Sequence, residues 1–212
     1  MKRLGKAPVK AKAEPAKKTN GPRNYLEIVV DREEAIRKKI ERVEGRILGF
    51  KVNKLEVGEI TDVWVPYCLL KYDYHISKTS NFIKGGHRTG TVYIIYDLNE
   101  EHCFQYDQVE TGELPIVKSS IPLKENQKVL KYKKTEKELD AEVRDFIQMK
   151  IMLKTFGHSA ELTLKEQTVF YRPAAEIEIF FKGRNRNLRY AYLDEYAVTN
   201  EHILGMKYRL KN

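Results

Sequence analysis

The chain has 212 residues, 42% of them hydrophobic and 33% charged, with 39 Lys and Arg set against 30 Asp and Glu. That size and composition suit a globular protein with a real core, neither collagenous nor wholly disordered, and the apolar runs are too short for a membrane span. The net charge of +9 favours an anionic partner without naming one.

Residues 1–23 are Lys, Ala and Pro with almost no bulky apolar side chain, a composition that cannot bury enough surface to offset ordering entropy. A disordered basic arm is predicted. Lys2, Arg3, Lys6, Lys10, Lys12, Lys17, Lys18 and Arg23 stand there against Glu14 alone, so the arm holds seven of the nine net charges. Such a polycation condenses on nucleic acid, on anionic lipid or on an acidic protein face. No apolar stretch of secretory-signal length follows the early charges, which predicts a cytoplasmic protein.

Beyond the arm, residues 24–30 read as a strand, and Asp31-Arg32-Glu33-Glu34 has the spacing of a capping box that opens a helix. Ile36, Ile40, Val43 and Ile47 recur at helical spacing, and Gly49 offers a stop. Strand-like segments follow at 55–60, 63–76 and 91–97. Thr111-Gly112-Glu113, Pro115 and Pro122 mark residues 110–126 as a linker. The same order then recurs: a strand at 127–132, a capping box from Thr135 to Glu138, and a stripe of Leu139, Val143, Phe146, Ile147 and Ile151 ending at Gly157. Met149, Met152 and Leu153 widen that second stripe, so the second helix is expected to be the more buried. Strands are predicted again at 162–166, 169–182 and 188–194.

This recurrence predicts an internal repeat. Setting Pro66 on Pro173 brings Leu70, Tyr72 and Tyr74 onto Ile177, Ile179 and Phe181, and Tyr93 and Asp97 match Tyr190 and Asp194. Agreement of strand parity matters because slippage by one residue exchanges the two faces. The predicted fold is α+β: two tandem β-α-β-β-β units, residues 24–109 and 127–212, each with a helix packed on a curved antiparallel sheet. A proline inside each long strand implies an edge, a bulge or a bend.

Two hairpin tips are basic. Residues 77–90 carry Lys78, Lys84 and Arg88, and residues 182–189 carry Lys182, Arg184, Arg186 and Arg189. Arg and Lys on such tips reach phosphate oxygens, so these residues, with Lys10, Lys12, Lys17 and Lys18 of the arm, are the candidate nucleic-acid contacts. The bland reading is that hairpin tips are solvated and polar in most proteins. Gly85-Gly86-His87-Arg88-Thr89-Gly90 is no phosphate loop, since it lacks the Gly-Lys-Ser/Thr ending and precedes a strand. Asp97, Glu100, Glu101 and His102, with Asp194, Glu195 and His202, make a metal-dependent phosphoesterase the alternative, although their spacing matches no zinc site. Glu176 and Glu178 followed by Lys182 miss the spacing of a nuclease motif, and strand alternation accounts for both acids.

Cys68 and Cys103 sit in apolar surroundings and are expected as buried reduced thiols. Trp64, Tyr67, Tyr72, Tyr74, Tyr93 and Tyr96 fall on strands and are expected in the core, with Tyr67 and Tyr171 the first to test for exposure. The leading expectation is a non-catalytic binding or assembly protein without cofactor or metal, its partner an anionic polymer, nucleic acid foremost. A pure protein-interaction subunit, or a homo-oligomer formed through an edge strand, is the third reading.

Overall fold

The computed structural model describes residues 21–28, 31–43, 46–47, 50–51, 55–77, 88–181 and 188–194. In chain order these form β1 (Arg23–Tyr25), α1 (Arg32–Val43), β2 (Arg46–Ile47), β3 (Phe50–Lys51), β4 (Leu55–Ile76), β5 (Arg88–Asp97), β6 (His102–Tyr106) and α2 (Gln108–Thr111). Next come β7 (Val117–Ser120), β8 (Gln127–Val129), α3 (Glu136–Phe146), a π-helical segment (Ile147–Met152), α4 (Leu153–Phe156), β9 (Glu161–Phe181) and β10 (Leu188–Asp194). The architecture is mixed α+β. One eight-stranded sheet runs β6-β5-β4-β9-β1-β7, with β8 paired to β4 and β10 to β9, and β2 and β3 pair separately.

The spine of the sheet is the antiparallel pair β4 and β9, in register from Leu55 opposite Phe181 to His75 opposite Glu161. The segments expected as separate strands at 55–60 and 63–76 are therefore one strand of 22 residues, and those at 162–166 and 169–182 are one of 21. Register shifts fall between Val57 and Ile60 and between Lys71 and Tyr72, whereas residues 61–62 and 167–168, which read as breaks in the sequence, pair in regular register. β5 lines the outer side of β4 from Tyr67 onward, and β8 runs parallel along Asp62 to Trp64. On the other flank β10 lines β9 from Ala174, and β1 meets it in parallel at Tyr171.

Pro66 and Pro173 sit in this spine, on neither an edge strand nor a bulge, so two of the three expected settings do not apply. The Pro66 carbonyl accepts the Leu98 N–H at 3.1 Å, so the missing proline N–H also faces outward. That is the point where the outer partner of β4 changes from β8 to β5. At Pro173 the outer partner of β9 changes from β1 to β10. A residue between two partner strands has no ladder bond to lose, so proline is tolerated there.

Both helices lie on one face. Leu139, Val143, Ile147, Ile151 and Met152 pack on Cys68, Leu70, Tyr72, Val92, Ile94 and Tyr96. Ile36 of α1 packs on Ala175, Ile177 and Ile179. Ile60 faces Ile177 across the ladder, which puts that contact on the same side as Leu70. The opposite face holds Val63, Val65, Tyr67, Ile95, Phe170 and Ala174, covered by Leu26, Tyr106, Leu114 and Ile116. Each fully buried large side chain contributes about 1.5–3 kcal/mol.

The helix starts follow the local sequence. Thr135 Oγ1 accepts the Glu138 N–H at 3.3 Å while Glu138 Oε2 accepts the Thr135 N–H at 2.8 Å, a complete capping box. Asp31 Oδ1 accepts from the amides of Glu33 and Glu34. Gly157 closes α4 with φ of +69°, a left-handed conformation that costs glycine little.

Other expectations need correction. α1 stops at Val43, and Ile47 lies in β2 instead of continuing the helix to Gly49. The π-helical segment inserts an extra residue per turn and rotates the stripe, so Met152 is buried while Met149 and Leu153 remain 62% and 41% exposed. The presumed linker contains β7, which pairs with β1 from Arg23 opposite Ser120. Arg23 thus belongs to a strand, not to the arm.

Candidate functional site

The eleven nominated basic residues fall mostly outside the described residues: Lys10, Lys12, Lys17, Lys18, Lys78, Lys84, Lys182, Arg184 and Arg186 all do. Arg189 lies in β10 opposite Ile179. Arg88 opens β5 opposite Ile76, so it is a strand residue and not part of the loop, and its guanidinium sits 5.4 Å above the Phe156 ring.

The sheet does fix where the two basic stretches attach. The chain leaves β4 at Ile76 and returns at Arg88; it leaves β9 at Phe181 and returns at Leu188. Because β4 and β9 are antiparallel, Ile76 lies at the Glu161 end of the pair and Phe181 at the Leu55 end. The two ends are separated by about 20 paired residues, a contour of up to about 65–70 Å at roughly 3.2 Å per residue. The two basic stretches therefore attach at opposite ends of the pair, a relation no single-strand pattern could disclose.

Asp97 and Glu176 have structural roles, while Glu195 and His202 lie outside the described residues. Asp97 is 1% exposed. Its Oδ2 accepts the Tyr67 hydroxyl at 2.6 Å, and its Oδ1 accepts the amides of Asn99 and Glu100 at 2.8 and 2.9 Å, which holds the turn into β6. Burial pushes the Asp97 carboxyl above its usual range, against those hydrogen bonds. Glu176 is buried and lies 3.5 Å from Lys128. Among the described residues no three His, Cys, Asp or Glu side chains are grouped to hold a metal. Both cysteines are free thiols, and burial pushes each to about 12, so neither is a ready nucleophile.

Two tyrosines of the sheet are pinned to α3 instead of presented for stacking. Tyr72 donates to Asp140 at 2.6 Å, Asp140 accepts from Arg144 at 2.7 Å, and Arg144 also donates to the Leu162 carbonyl. Tyr96 donates to Glu142 at 2.6 Å, and the Lys134 ammonium lies 2.6 Å from both. Burial, then the neighbouring carboxylate, raises each phenol. Burial alone would lower Lys134, but its bonds to Glu142 and Tyr96 outweigh that and hold it charged. Tyr67 is fully buried and Tyr171 half-buried, so of the two only Tyr171 has accessible surface.

Beside the Ile76 end, on the face away from the helices, Asp73, His75, Thr89, Thr91, Glu161 and Thr163 line an open groove of about 370 Å³. Thr91 donates to Asp73 at 2.8 Å and Lys165 approaches it at 3.5 Å. The Thr91 bond first, and Lys165 after it, keep the Asp73 carboxyl below its usual range. Lys71 and Glu166 pair alongside at 3.4 Å.

Reading for tips and strand ends missed the lysines around β8 and the start of α3. Lys124, Lys128, Lys131, Lys133 and Lys137 are exposed there, and their density over fourteen positions is visible in the sequence. No family model, no curated protein and no solved structure matches the chain. Among the described residues no helix is long and apolar enough to cross a membrane.

Proposed function

We propose that the chain is a non-catalytic binding protein for an anionic polymer, nucleic acid foremost, contacted through the basic arm and the basic stretches at the two ends of the sheet. The observation that carries the reading is that those stretches attach at opposite ends of the β4–β9 pair, up to about 65–70 Å apart along the strands, a span that suits a long polymer better than a small ligand. The structural use of Asp97, Glu176 and both thiols removes the obvious chemical alternatives at those residues.

The body beneath this function is, in our reading, a tandem duplication of one strand-helix-strand-strand unit. Support comes from the register. Val65 faces Arg172 at the centre of the spine, and exchanging the two strands about that pair turns Pro66 opposite Tyr171 into Trp64 opposite Pro173. The same exchange turns Tyr67 opposite Asp97 into Ala174 opposite Asp194, and Tyr25 opposite Tyr171 into Val129 opposite Trp64. Each unit's first strand therefore pairs with the long strand of the other unit.

The test is binding of nucleic acids of graded length at graded salt. Affinity should fall by about 10³–10⁵ between 50 and 200 mM salt if six to ten phosphates are neutralised. For a duplex it should rise again once the length passes about 20 base pairs, at about 3.4 Å per pair. Removing residues 1–20 should weaken binding and leave thermal unfolding unchanged. Absent binding, or affinity indifferent to salt, overturns the reading.

A further inference from the structure

Residues 124–137 carry six lysines against Glu125 and Glu136. Two of the six are engaged: Lys134 turns inward to Tyr96 and Glu142, and Lys128 lies 3.5 Å from Glu176. Lys124, Lys131, Lys133 and Lys137 are exposed and make no ion pair among the described residues. Between Lys131 and Lys133, Tyr132 leaves 38% of its surface open.

The backbone around this strip is fixed at both ends. Leu130 donates to the Trp64 carbonyl at 3.0 Å and is half-buried, and Thr135 and Glu138 satisfy one another at the start of α3. The helix start is thus already capped, and it is residues 131–133 that face outward. On the other flank of the sheet Leu26 makes the same bond, to the Tyr171 carbonyl at 2.9 Å, and is followed by exposed Glu27 and Ile28. The same local frame carries acid and aliphatic there, so nothing in the backbone pairing demands lysine and tyrosine here.

We propose that Lys131, Tyr132 and Lys133 form a contact for single-stranded nucleic acid, the lysines meeting phosphates and Tyr132 stacking on a base, with Lys124 and Lys137 extending the positive field. This rests on the polymer-binding reading and adds a contact separate from the arm and the sheet ends. The aromatic ring selects the single strand, because an unpaired base offers its face to a side chain while a duplex has its bases already stacked. The lysines alone would serve either form.

The test uses the full chain, a labelled oligothymidylate of about 16 nucleotides and a duplex of equal length, followed by fluorescence anisotropy. Tyr132→Ala should weaken the single strand about five- to tenfold and leave the duplex unchanged, and Tyr132→Trp should restore binding. Lys131→Gln with Lys133→Gln should reduce the single-strand salt slope by about 1.4. Circular dichroism of each variant checks the fold, and the lysine pair tests the site independently if Tyr132→Ala unfolds. If the parent binds and all these variants bind equally well, the strip is not a contact and the polymer reading survives on the arm and the sheet ends. If the parent binds no nucleic acid, both fall. Loss of polyglutamate binding in the lysine pair, with oligothymidylate binding intact, would assign the strip to an acidic protein and overturn the proposal.

Discussion

The part of the sheet under α3 and the part under α1 share strand pairing but are sealed by different chemistry. Under α3 lies a continuous apolar cluster from Cys68 to Ala160, locked at its rim by the Tyr72–Asp140 and Tyr96–Glu142 hydrogen bonds. Under α1 the described contacts are Ile36 with Ala175, Ile177 and Ile179, with Ile60 and Leu193 beside them, and an ion pair from Arg32 to Asp62 at 2.7 Å. Where one side has two tyrosines of the sheet reaching carboxylates of the helix, the other has isoleucine meeting isoleucine and an arginine of the helix reaching a carboxylate of the sheet. A shared set of backbone pairings thus carries two kinds of directional helix attachment: phenol hydroxyls donated upward from the sheet to α3, and an ion pair reaching down from α1.

The sharpest way to break this comparison is to make equivalent cavities. Ile147→Ala, at a fully buried position under α3, should cost about 3–4 kcal/mol, whereas Ile36→Ala, at a half-buried one, should cost about 1 kcal/mol. Urea denaturation followed by circular dichroism measures both. Equal losses would mean that the α1 side is as consolidated as the α3 side. Because β4 and β9 run through both regions, each variant should still unfold in a single transition.

The polar rim is the next lever. Tyr72→Phe and Tyr96→Phe each delete one bond to a carboxylate and should cost about 1–2 kcal/mol. The pair should be close to additive, since the two bonds use different acceptors. Losses below a few tenths of a kcal/mol would mean that α3 is held by burial and not by its tyrosine bonds.

These distinctions were unevenly legible in the sequence. Thr135 with Glu138 and Gly157 announced α3 correctly because caps depend on residues a few positions apart. The strand parity of Leu70, Tyr72, Ile177 and Ile179 was readable for the same reason. By contrast, Thr61 and Asp62 read as a break between strands, because the partner that carries β4 through them is β9, more than a hundred residues away. The exposure of Met149 and Leu153 follows from a π-helical turn, which no 3.6-residue period anticipates. The attachment of the basic stretches at opposite ends of the spine was hidden too, since it follows from pairing between the halves and not from any pattern within one. The strip at Lys131 to Lys133 was legible as composition, but only the inward turn of Lys134 and the exposure of Tyr132 single it out.

The acid response sets a directional rim against a buried charge. Glu142 is held below its ordinary value of 4.5, first by Lys134 and then by Tyr96, so its contribution is full above that value and is lost as pH falls through the lower folded pKa. Asp97 is shifted the other way, raised by burial above 3.8, so its contribution is present at low pH and fades as pH rises. Glu142→Gln should therefore flatten the decline in stability below about pH 4.5, and Asp97→Asn should gain on the parent as pH rises from 3 to 6. Chemical denaturation across that range checks both signs. The same sign for the two variants would contradict the assignment of Asp97 as a buried, structurally held carboxyl.

The smallest expected effect concerns Arg88, the one nominated basic residue whose side chain is described. It is exposed, and its contact with Phe156 ties the start of β5 to the end of α4, on the consolidated side of the molecule. An exposed cation–π contact is worth about 0.5–1 kcal/mol, so Arg88→Gln should lower stability by no more than that. If Arg88 meets a phosphate, the same substitution should also reduce the salt slope of duplex binding by about 1. Arg88→Lys separates the roles: it keeps a charge for the phosphate while losing the planar stacking on the ring. A variant that recovers the salt slope but not the stability marks Arg88 as a polymer contact, and one that recovers neither marks it as a packing residue at the end of the sheet.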